Sequence, residues 1–78
     1  MKIFHFNITA ENKPGVLYRI VNLLLKRKIN IETINSYPIQ NKSISKIFFS
    51  AFIDENKVEN INRQIGKIIE VINVKYKK

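Results

Sequence analysis

The residue types that could do chemistry gather in one run, Glu11-Asn12-Lys13-Pro14-Gly15-Val16-Leu17. Pro14 fits at or just before the first turn of a helix, where its missing N–H costs nothing, and it disfavours helical geometry at Lys13. A helix opening at Pro14-Gly15 leaves the N–H groups of Gly15, Val16 and Leu17 without partners inside the helix. Those donors, together with the helix dipole, attract a carboxylate. Gly15 has no side chain to hold a ligand off the backbone. The Asn12 amide stands just before this cradle. Its oxygen accepts from an ammonium group and its nitrogen donates to a carboxylate. These groups suit the zwitterionic end of an amino acid, with apolar residues near the helix start selecting the side chain. Plainer readings stay open: Asn12 as a helix cap or turn former, and Gly15 as a tight contact between helix and strand.

No other residues combine into a catalytic set. There is no nucleophile with a base and an orienting group, and no glycine-rich phosphate loop. The chain has no cysteine, one histidine (His5) and six scattered carboxylates, so neither a metal site nor a cofactor is expected. His5 reads as a surface residue, and Glu32 as a solvated one. The absence of cysteine fits a reducing, cytoplasmic setting.

The elements that must position this run follow from periodicity. Residues 2–10 alternate, with Phe4, Phe6 and Ile8 on one face and His5, Asn7 and Thr9 on the other, which predicts a half-buried strand. Residues 15–27 change to helical spacing through Leu17, Ile20, Val21 and Leu24. Asn30 to Ile39 reads as a second strand, and Pro38 suits an edge. Gln40-Asn41-Lys42-Ser43 is a polar turn. Ile44 to Asp54 is a third strand, with Ile47, Phe49, Ala51 and Ile53 on one face and Lys46, Phe48, Ser50 and Phe52 on the other. Asn56 and Glu59 have capping-box spacing ahead of a second helix through Val58, Ile61, Ile65 and Ile68. Gly66 within it suggests close packing. Val71 to Tyr76 makes the fourth strand.

The order βαββαβ predicts an α+β, ferredoxin-like sandwich: one four-stranded antiparallel sheet with both helices on one face. The 78 residues read as a single domain, 1–78. The second strand, left at an edge, is expected to pair with its twin in a homodimer. Phe48 and Phe52 on the opposite face suggest a further protein contact. No run approaches the length of a membrane helix, so no membrane contact is expected.

This order and these motifs resemble the ACT domain, an amino-acid-sensing module, and within it the regulatory small subunit of acetolactate synthase. That family typically reads Glu-Asn-x-x-Gly-x-Leu-x-Arg-[Val/Ile], and this chain has Glu11-Asn12-Lys13-Pro14-Gly15-Val16-Leu17-Tyr18-Arg19-Ile20. The family's Asn-Ile-Glu-Ser-Leu is matched by Asn30-Ile31-Glu32-Thr33-Ile34, and its Ser-Arg-Met by Ser45-Lys46-Ile47. The resemblance implies a non-catalytic subunit that binds a valine-like branched-chain amino acid and modulates a catalytic large subunit. It implies that Asn12, Pro14, Gly15, Val16 and Leu17 meet the ligand, and that Asn30 reaches it across a dimer interface. Asn30 also reads, more plainly, as a left-handed turn residue. Lys28 stands where the family usually has a capping glycine and Asn35 where it often has threonine, and the resemblance is to the short single-domain type of small subunit, expected to lack the second domain that many bacterial ones carry.

Two rival readings differ in partner. A free-standing ACT sensor would serve another enzyme or a regulator. An RNA recognition motif shares the element order, and Lys46-Ile47-Phe48-Phe49-Ser50-Ala51-Phe52 resembles its third strand, in a chain of net charge +8. That match breaks at Ile47, where glycine is expected, and at Phe4 and Phe6, which point to the core. Nucleic acid is therefore not expected as a partner.

Overall fold

Alternation in the first ten residues of the computed structural model, which describes all 78, builds β1 (Lys2–Glu11). Its Phe4, Phe6, Ile8 and Ala10 are buried. Helical spacing then builds α1 (Val16–Lys26), which buries Val16, Ile20 and Leu24. β2 (Ile31–Ile39) and β3 (Ile44–Ile53) form a hairpin, α2 (Glu55–Gly66) follows, and β4 (Val71–Lys77) closes the sheet. The strand order is β2-β3-β1-β4, all pairs antiparallel, as the element order predicts. Phe6 stacks on Phe49 with ring centroids 4.6 Å apart and on Tyr76 at 5.5 Å, tying three strands together beneath the helices.

The helix ends differ from the sequence reading in instructive ways. α2 is capped by Asp54, whose carboxylate accepts from the Asn56 N–H at 3.0 Å, so the cap lies two residues before the expected Asn56. Gly66 is the last residue of α2 and is exposed, and a Cβ there would meet Val74 Cγ1 at an ordinary 3.5 Å. Close packing therefore does not require glycine at that position.

α1 ends in a Schellman motif. The Ile29 N–H donates to Leu24 O at 3.0 Å and the Lys28 N–H to Leu25 O at 2.9 Å, with Lys28 at φ 59°. A lysine thus holds the left-handed position that glycine adopts without strain. Lys28→Gly is expected to stabilise the domain by about 1 kcal/mol, read as a higher midpoint in urea unfolding.

β2 is an edge strand, and every residue from 32 to 38 is exposed. Ile34, opposite core Phe49, is 42% exposed and Tyr37, on the other face, 45%. Leu17, Val21 and Leu25 recur every fourth residue along one flank of α1, and Leu17 and Leu25 are exposed. No helix is long and apolar enough to cross a membrane.

Candidate functional site

β1 delivers Asn12 to one end of the sheet, beside the β2–β3 turn. The Asn12 side chain is engaged there on both of its polar atoms. Nδ2 donates to Lys42 O at 2.7 Å and Oδ1 accepts from Ser45 Oγ at 2.8 Å, while the Asn12 backbone N–H donates to Ser43 O at 3.1 Å. Asn12 is thus a brace between two loops, with one further hydrogen and one further lone pair to offer a ligand. The turn it braces is strained, since Gln40, Asn41 and Lys42 are all left-handed, with φ 50°, 57° and 69°.

Pro14 lies outside the helix, and Gly15 is its N-cap at φ 87°, with no side-chain cap. A Cβ on Gly15 would find nothing within 4 Å, so close packing is excluded and the need for glycine is conformational. The expectation of three free N–H groups is corrected in one member. The Val16 N–H donates to Lys13 O at 3.3 Å and its side chain is buried in the core. Gly15 and Leu17 keep N–H groups with no backbone acceptor, and Tyr18 joins them.

The sequence reading missed Arg19 and Glu70 as neighbours of this turn. Glu70 O accepts from the Glu11 N–H at 2.9 Å, which places the residue beside the end of β1. Its carboxylate takes a hydrogen bond from the Arg19 guanidinium, and this bond holds its pKa below the usual 4.5 against the opposing effect of burial. Arg19 was visible in the family motif, but its partner 51 positions away was not. A depressed carboxylate adds stability that is present above its ordinary pKa and lost as pH falls through the folded value. The stability gap between wild type and Glu70→Gln is therefore expected to be present at neutral pH and to close as pH falls below the ordinary carboxylate range, followed by thermal unfolding.

Asn30 lies at the other end of the sheet. It precedes Ile31, which pairs with Ala51, whereas the Asn12 turn adjoins Ser45 and Ile44 at the start of β3. The nine residues of β2 separate the two asparagines by roughly 30 Å within one chain. Asn30 is exposed and does not have positive φ. Lys28 takes the left-handed position instead, so the turn-former reading of Asn30 is withdrawn.

Comparison with known proteins decides the family. The model of the AHAS small subunit-like ACT domain matches residues 6–73. The chain belongs to that family. This ACT domain is 40% identical over 74 residues to the acetolactate synthase small subunit of Buchnera aphidicola subsp. Baizongia pistaciae, an alignment covering 95% of the chain and 46% of the relative. It is 38% identical over 68 residues to that of Bacillus subtilis, covering 86% and 40%. The chain spans less than half the length of these relatives. Among solved structures, the acetolactate synthase small subunit from Thermotoga maritima superposes with a TM-score of 0.85 at 26% identity, over 97% of this chain and 47% of that one. The ACT domain from the GTP pyrophosphokinase of Chlorobium tepidum shares the fold, with a TM-score of 0.82 at 21% identity over 96% of each chain.

Proposed function

We propose that the chain is a regulatory ACT domain of the acetolactate synthase small-subunit type, which binds a valine-like branched-chain amino acid at a homodimer seam and modulates a catalytic large subunit. The observation that carries this reading is the placement of the two motifs at opposite ends of an unpaired edge strand. Two-fold antiparallel pairing of β2 with its twin sets the Ile31 end of one copy against the Ile39 end of the other. Asn30 of one copy then approaches the turn braced by Asn12 of its partner. The free N–H groups of Gly15 and Leu17 face an α-carboxylate, and the spare capacity of Asn12 meets the ammonium group. The partner's Asn30 closes the site. Pairing also covers Ile34 and the Leu17–Val21–Leu25 flank, and satisfies the open backbone of β2.

The test is thermal unfolding with valine, leucine and isoleucine at millimolar concentration. A ligand at ten times its Kd adds about 1.4 kcal/mol, several degrees for a domain of this size. The Asn30→Ala variant is expected to lose that shift at unchanged apo stability, because the Asn30 side chain is exposed and makes no hydrogen bond within the chain. A dimeric chain that none of the three stabilises overturns the reading. Service to another enzyme is the second reading, and it predicts the same ligand response without binding to an acetolactate synthase catalytic subunit.

A further inference from the structure

The sheet face turned away from the helices is left uncovered by the fold and unused by the ligand site. Along β3 it carries Lys46, Phe48 and Phe52, flanked by Tyr37 from β2 and by Lys75 and Lys77 from β4. Phe52 is 45% exposed. The outward positions of β1, β3 and β4 include a single carboxylate, Glu11, which stands at a corner and is paired with Lys13 at 2.9 Å. An open groove of about 390 Å³ runs between Phe48 and the β4 lysines, past His5 and Asn7. Within it Asn7 Oδ1 is buried and has no hydrogen-bond partner. Aromatic groups strung along β3 and its β2 neighbour, lysines at the β4 margin and an unused acceptor between them make a surface that is apolar, cationic and incomplete.

We infer that this face docks onto a protein surface whose carboxylates border an apolar ridge, and that this surface belongs to the catalytic subunit; the inference rests on the function proposed above. Charge complementarity selects the occupant. A second copy laid face to face would set lysine against lysine. A nucleic acid strand finds a poor platform, since Phe48 already lies against Tyr37, with centroids 6.1 Å apart, and beneath the Lys46 ammonium at 5.7 Å. Lys46 is itself held in place by Thr9 Oγ1 at 2.8 Å. An apolar protein ridge running along Tyr37, Phe48 and Phe52, with acidic groups toward Lys75 and Lys77 and a donor toward Asn7, uses every feature of the face. Pairing through β2 makes the two faces of a dimer continuous, with Tyr37 close to the seam.

The experiment is binding of the full chain to the acetolactate synthase catalytic subunit by titration calorimetry. It compares wild type with the double variant Lys75→Glu, Lys77→Glu and with Phe52→Ser, all exposed positions. Dimer mass and the valine-induced thermal shift serve as controls for the fold and the ligand site. Wild type is expected to bind, more weakly as salt is raised, and each variant to lose at least roughly tenfold in affinity with both controls intact. Equal affinity in the variants overturns the docking face and leaves the proposed function standing. Failure of wild type to bind overturns the proposed function, and this inference with it. A fluorescent oligouridine strand, followed by anisotropy, is the counter-probe. Binding lost in the same variants while the catalytic subunit still binds them assigns the face to nucleic acid and overturns the inference.

Discussion

Replacing Phe6 with alanine is expected to leave this domain largely unfolded. Phe6 is 1% exposed, and its ring is held between Phe49 and Tyr76 in the layer that joins the sheet to the helices. Removing a buried phenylalanine costs about 3–5 kcal/mol, because the transfer energy is lost and the cavity collapses only in part. A chain of this length holds about 4–12 kcal/mol in total, toward the lower end for so small a core. The effect therefore reaches the scale of the whole stability. Urea unfolding checks it, with Phe6→Leu as the companion that keeps most of the volume. The leucine variant should stay folded with a lowered midpoint. An alanine variant as stable as wild type would contradict the packing described for the core.

Ile34→Lys is expected to block the proposed pairing of β2 with its twin, leaving a monomer, and to remove the proposed response to branched-chain amino acids. Ile34 lies near the middle of β2, so the two-fold axis of the proposed pairing brings both copies of it close together. A lysine there is one of the means by which natural edge strands refuse partners, and each chain already carries +8. Ile34 is 42% exposed in the single chain, so the monomer should lose little stability. Sedimentation and the valine-induced thermal shift are the two readouts. Loss of both together ties the ligand site to the seam. A monomer that still answers to valine would place the site within one chain and make Asn30 irrelevant to it.

Much of the fold was legible because the periodicities are clean. The alternation of Phe4, Phe6 and Ile8 and the spacing of Ile20 and Leu24 each fix a buried face, and the element order leaves few topologies. The errors fall at element ends, where local hydrogen bonding decides between neighbours. Asp54 rather than Asn56 caps α2 because the strand ends one residue earlier than apolar alternation suggests. The candidate site was legible as a position but not as a network. Sequence spacing shows that Asn12 precedes a helix, yet its partners Lys42 and Ser45 come from a hairpin some thirty residues on. The commitment of the Val16 N–H to Lys13 follows from the left-handed turn at Gly15, which motif reading cannot resolve. Arg19 and Glu70 were hidden for the same reason, since only the pairing of β4 beside β1 brings them together.

The central position of β1 has a consequence for how the chain acquires its structure during synthesis. The first of the four strands lies between β3 and β4, so each of its ladders waits for residues that leave the ribosome later. The β2–β3 hairpin is the sole pairing local in sequence, and it closes through the left-handed turn at 40–42. Such a topology has high contact order, which slows folding and lengthens the time that an aromatic-rich strand spends unpaired. The nascent chain thus stays dependent on its last strand, and on whatever shields Phe4 and Phe6 until that strand arrives.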